Sequence, residues 1–175
     1  TPLSSNTNLS SITVNGSTIA AGATFTVPYA TNRVTVAATA QDADASVAVT
    51  GATSLVTGNN TVTVTVTAED GTVKVYTVYV NVQLSSDTTL FEFSINGTDV
   101  VDGQTITAAP GTDAVDVFAT PVYELASVDV DGDTELTPGE NTVSITVTAE
   151  DGTIAVYTVT VVVALSSDTS LFELS

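Results

Sequence analysis

The chain has 175 residues and a formal charge of −18, with Arg33 and Lys74 as its only cations and no Cys, His, Met or Trp. Two cations cannot form the clustered basic surface that nucleic acid or an anionic membrane requires, and the missing residue types remove disulfides, thiolate and imidazole metal sites, and the commonest catalytic bases. The longest apolar run, near Val159 to Leu165, is too short for a membrane span, and the start at Thr1 carries no basic, apolar targeting segment, so the sequence reads as a mature or trimmed chain.

The sequence copies itself at a constant offset of 81 residues: Leu3 to Gln83 overlays Leu84 to Ala164, and Leu165 begins the pattern again. Such repetition predicts modules at 1–83 and 84–164, followed by the opening strand of a third repeat, or a donor strand, at 165–175. Repeat 1 holds four acids against two bases, net −2; repeat 2 holds fourteen acids and no base, net −14. The asymmetry reads first as drift with a need for solubility; the sharper alternative is a weakly charged surface of repeat 1 that packs against neighbours while repeat 2 faces solvent or cations.

Within each module every element reads as strand. Ile12 and Val14 lead into Asn15-Gly16, as Phe93 and Ile95 lead into Asn96-Gly97, a strand ended by a tight turn. Val34, Val36 and Ala38, then Val47 and Val49, alternate with polar residues, with Val115, Val117, Ala119 and Val128, Val130 as their copies. From Thr61 to Ala68, Val62, Val64, Val66 and Ala68 define a buried face. The Asp70-Gly71 turn follows, and the chain returns through Tyr76, Val78, Val80 and Val82. Val73 and Val75 fall outside that phase and predict a β-bulge near Val75. Repeat 2 copies the hairpin as Val143, Ile145, Val147 and Ala149, then Asp151-Gly152, then Tyr157, Val159, Val161 and Val163. About seven short strands per module predict an all-β fold of two tandem immunoglobulin-like Greek-key sandwiches.

The closing block runs from a Gly-x-Asn-Thr turn through a Thr/Val strand to Glu-Asp-Gly-Thr and a Tyr-bearing last strand, over Gly58 to Val80 and Gly139 to Val161. Together with the opening strands at Leu9 to Gly16 and Leu90 to Gly97, it resembles the bacterial cadherin-like β-sandwich domain found in tandem on exported surface proteins. The resemblance implies a non-catalytic, extracellular or cell-surface module and carries over no functional residue. Val82-Gln83 runs straight into Leu84-Ser85 without a Gly/Pro-rich linker, which predicts limited bending between modules.

The most metal-like segment is Asp129, Asp131, Asp133 and Glu135, whose alternating carboxylates could serve a hard cation such as calcium. The EF-hand spacing is broken by Gly132, and repeat 1 carries Ala48, Thr50, Ala52 and Ser54 instead, so a solvated acidic hairpin is the preferred reading. Glu69-Asp70-Gly71 and Glu150-Asp151-Gly152 are turns first, and ligand pairs only if an acid such as Asp87 or Asp168 closes on them. Asn-x-Ser/Thr sequons at Asn8, Asn15, Asn59 and Asn96 are no more frequent than the Asn, Ser and Thr content gives by chance. No cofactor motif or catalytic constellation is present, and an enzyme is not expected.

Two functions follow. The first is a structural module of a stalk, surface layer or filament, whose partners are copies of itself or further repeats, head to tail, through Leu165, Leu171, Phe172 and Leu174. The second is an adhesion module that binds a carbohydrate or protein through repeat 2 loops, where Tyr123-Glu124-Leu125 replaces Asp42-Ala43-Asp44.

Overall fold

A computed structural model describes residues 2–167. The chain divides into two compact units between Ser85 and Ser86. Among the described residues all regular structure is β-strand, and no helix is long and apolar enough to cross a membrane.

Repeat 1 contains β1 (Leu9–Val14), β2 (Ser17–Thr18), β3 (Thr24–Val27), β4 (Val36–Ala40), β5 (Ser46–Thr50), β6 (Gly58–Thr67) and β7 (Val73–Val82). A three-stranded sheet in the order β2-β1-β4 faces a four-stranded sheet in the order β3-β7-β6-β5. Repeat 2 has the same plan, with β8 (Leu90–Ile95), β9 (Thr98–Asp99), β10 (Gln104–Ala108), β11 (Val117–Pro121), β12 (Ser127–Asp131), β13 (Gly139–Thr148) and β14 (Ile154–Val163) arranged as β9-β8-β11 and β10-β14-β13-β12. β3 and β10 run parallel to the last strands of their modules, a pairing that alternation alone cannot foretell.

The core follows the period of two. Val62, Val64, Val66 and Val78, with Val143, Ile145, Val147 and Val159, are completely buried, while Thr61 is exposed and Thr63, Thr65 and Thr67 are half-buried. Tight turns supply the reversals. Asn15 and Gly16 both have positive φ (48° and 82°), the mirror-image turn that matches strand twist. At the long hairpin, Gly71 N–H donates to Ala68 C=O (3.0 Å) and Ala68 N–H to Thr72 C=O (2.8 Å), with Gly71 at φ 88°.

That turn corrects the expected bulge near Val75. β6 and β7 pair without interruption from Thr67↔Val73 to Gly58↔Val82. The extra residue is absorbed at Gly71 in the turn, and Val73 and Val75 occupy the outward positions of a regular strand, each more than half exposed. The observed irregularities lie elsewhere. Ser10 and its copy Phe91 are the unpaired residues where β1 pairs with β4 and β8 with β11.

Side chains fasten the ends of each sandwich. Asn60 Oδ1 accepts Val56 N–H (2.9 Å), while its amide donates to the carbonyls of Val56, Gly58 and Val80 (2.7, 2.9 and 3.2 Å). Asn141 repeats this around Thr137, Gly139 and Val161. Tyr76 donates its hydroxyl proton to Thr7 C=O, and Tyr157 to Thr88 C=O, each at 3.0 Å. The Gly-x-Asn-Thr and Tyr elements of the closing block are therefore fastenings of the fold.

Candidate functional site

The acidic segment after β12 is built for a backbone crossing. Asp129 and Asp131 are exposed on the outer face of the edge strand β12, opposite Thr146 and Ser144. Gly132 has φ 81°, and a Cβ there would strike the Thr142 carbonyl; Gly51 in repeat 1 has the same conformation, with a virtual Cβ 2.5 Å from Thr61 O. The glycine that breaks the calcium-loop spacing is thus demanded by a close approach that repeat 1 makes with no acid beside it. Asp133 gives its backbone carbonyl to Val115 N–H (2.8 Å), and Glu135 sits at a positive φ of 58°. Among the described residues no three acidic groups are grouped to hold a metal ion.

Both Glu-Asp-Gly turns are occupied locally. Glu69 Oε2 accepts Ser4 N–H (3.1 Å), Asp70 N–H donates to Ser4 C=O (3.0 Å), and Asp70 Oδ1 accepts Thr72 N–H (2.8 Å). The backbone N–H of Thr72 holds the Asp70 carboxyl below its ordinary pKa, and Thr153 does the same for Asp151. Asp87 is lowered by the Thr89 hydroxyl (2.6 Å) and then by the Thr89 N–H (2.9 Å), so it is engaged within its own turn. Asp168 lies outside the described residues.

The Tyr123 loop uses its aromatic ring internally: the Tyr123 hydroxyl donates to Glu150 Oε2 at 2.8 Å. In repeat 1 the equivalent Asp42 receives the Ser4 hydroxyl, which lowers its pKa. Leu125 is exposed, as are Val122, Phe118 and Phe91, where repeat 1 has Asp44, Gln41, Ala37 and Ser10. Of the residues expected to drive assembly, Leu165 is 76 % exposed, and Leu171, Phe172 and Leu174 lie outside the described residues.

Sequence reasoning missed a feature of repeat 1. β3 pairs only with Tyr79 to Val82, so the first half of β7 has no strand on that side. Between it and the β1–β2 hairpin lies an open-sided slot of about 440 Å³, lined among others by Leu9, Ile12, Ile19, Gln41, Lys74 and Tyr76. The Lys74 ammonium stands 4.7 Å above the Tyr76 ring. Repeat 2 differs at most positions around the same place, and three of the changes alter size or charge beside the tyrosine and the strand edge. Phe93 replaces Ile12 and sets its ring edge-on to Tyr157 (centroids 6.3 Å, 64°), Ala155 replaces Lys74, and Asp102 replaces Ala21. The signal is present as unlike pairs under the 81-residue offset, but only the fold shows that they meet.

A profile of the cadherin-like β-sandwich domain matches residues 9–83 and again 82–164. The chain belongs to this family. Two copies thus account for both repeats. Among curated proteins none matches the chain. Solved structures that the chain matches include the fibronectin(III)-like modules of Clostridium thermocellum CbhA, at 13 % identity and a TM-score of 0.29, covering 94 % of this chain and all of that one.

Proposed function

We propose that this cadherin-like chain is a non-catalytic structural module of an extracellular repeat protein, a stalk, surface layer or filament, in which sandwiches follow one another end to end. The observation that carries this reading is the path of the chain through each module. In repeat 1, Ser4 is bonded at the Asp70 end of the long hairpin, whereas the chain leaves from Val82 at the other end of β7. In repeat 2, Tyr157 holds Thr88 near the start of β14, and the chain leaves from Val163. A module that is joined at opposite ends propagates a row, while one joined at a single end doubles back. Electron microscopy of concentrated protein tests this. Linear or lattice order with one module per repeat supports it, and a monodisperse monomer at every concentration overturns it.

A second reading is favoured by Phe91, Phe118, Val122 and Leu125, exposed apolar groups on β8, β11 and the following loop of a module that is otherwise strongly acidic. This surface would serve adhesion to a protein or carbohydrate. Specific binding on a glycan or protein array that is lost in Phe118→Ala/Leu125→Asp would establish it, and unchanged binding in that variant would remove it.

A further inference from the structure

The slot of repeat 1 is open on a strand edge. Thr77 gives its carbonyl to Gly22 N–H (2.7 Å) on the side away from β6, and Tyr79 N–H donates to Ala23 C=O (3.0 Å) on that same side. In a strand, the N–H and C=O of one residue point the same way and alternate residues repeat the direction. The Thr77 N–H and both polar groups of Val75 therefore face the slot side, where β3 does not reach. Repeat 2 caps one of these groups, because Asp102 Oδ1 accepts the Thr158 N–H at 2.8 Å; Ala21, which stands in place of Asp102, has no side-chain acceptor. Beside the edge, repeat 2 sets the Phe93 ring against Tyr157, where repeat 1 has the smaller Ile12 lining the slot. At its mouth is Lys74, which among the described residues is paired with no carboxylate.

We propose that this slot receives residues 165–175 of a second copy of the chain by strand addition. The proposal rests on the end-to-end reading and names its contact. An unpaired edge accepts an extended segment through main-chain hydrogen bonds, and the adjoining pocket selects its side chains. Leu171-Phe172-Glu173-Leu174 offers apolar groups for the pocket between Ile12 and Tyr76, and an acid for Lys74. In repeat 2 a phenyl ring, Phe93, packs against Tyr157, the copy of this tyrosine. Repeat 1 is also the module to which an acidic segment can come, its net charge being −2 against −14 for repeat 2.

The test uses a labelled peptide of residues 165–175, titrated into the chain shortened by those residues. Saturable binding is expected, weakened at least about ten-fold by Ile12→Phe and by Ala21→Asp. Both substitutions copy repeat 2, and melting curves confirm that the variants fold. Lys74→Glu should weaken binding as well, and a Glu173→Lys peptide should restore it. Binding no tighter than that of a scrambled peptide, or unchanged by Ile12→Phe, overturns the proposal. Filaments that still form in full-length Ile12→Phe protein overturn the slot and leave end-to-end assembly standing, whereas slot-dependent peptide binding without ordered polymers does the reverse.

Discussion

Asn60 holds Val56 at both of its backbone groups, accepting the N–H at 2.9 Å and donating to the carbonyl at 2.7 Å, so one side chain closes the loop before β6 as a strand would. Asn60→Ala leaves these groups without their partner and should cost about 1–3 kcal/mol. Asn60→Asp keeps the acceptor and loses the donors, so it should fall short of full rescue. Asn141→Ala should behave alike in repeat 2. Urea denaturation checks all three, and equal stability of Asn60→Ala and the parent would contradict the assigned role.

Gly51 and Gly132 should tolerate no side chain. Each has a positive φ and meets a backbone carbonyl at its virtual Cβ position, whereas Gly71 has a similar φ with nothing within 4 Å. Gly71→Ala should therefore cost only the left-handed backbone penalty of about 1–2 kcal/mol, and Gly51→Ala and Gly132→Ala distinctly more. The ranking is read from thermal melting of the three variants.

Truncating Ile145, which is fully buried, to Ala should cost about 2–5 kcal/mol. Val73→Thr, on the outward face of β7, should change stability by no more than about 0.5 kcal/mol. A large effect of Val73→Thr would show that the strand is not continuous there.

Chelation of divalent cations should leave the melting temperature unchanged, and monovalent salt should raise it modestly by screening repeat 2. A calcium-specific rise that disappears in Asp131→Ala would instead establish a site among Asp129, Asp131, Asp133 and Glu135.

Asp42, Asp70, Asp87 and Asp151 have folded-state pKa values below the ordinary aspartate value, through bonds from Ser4, Thr72, Thr89 and Thr153 respectively. A depressed folded pKa gives stability that is present above the unfolded value of about 3.9 and lost as the pH falls through the folded one. Acid unfolding should accordingly be less steep in Asp70→Ala/Asp151→Ala than in the parent. Circular dichroism between pH 5 and about 2 follows this, the window being set by those carboxylates.

Strands were legible because Thr/Val alternation writes the buried face directly, and the Asn-Gly and Asp-Gly pairs write the reversals. Val73 and Val75 misled because β-branched residues favour strands whether or not they are buried, so apolar identity there reports propensity instead of a bulge. The parallel placement of β3 depends on partners more than fifty residues away. The slot was illegible for the same reason: Ile12 and Tyr76 are unremarkable singly, and their cavity exists only across the sandwich. The role of Gly132 is illegible too, because the Thr142 carbonyl that its missing Cβ makes room for lies on another strand.

The bonds from Ser4 and Thr7 to the early part of β7 decide how a module answers a pull on its ends. The leading segment runs alongside β7 in the same direction, with Ser4 near Asp70 and Thr7 at Tyr76, while the chain departs beyond Val82. Tension applied between the two ends would act along the strand, so the Ser4, Glu69 and Tyr76 contacts would be loaded in shear. Each repeat is thereby braced against traction along its own length, with Tyr76 and Tyr157 as the bolts.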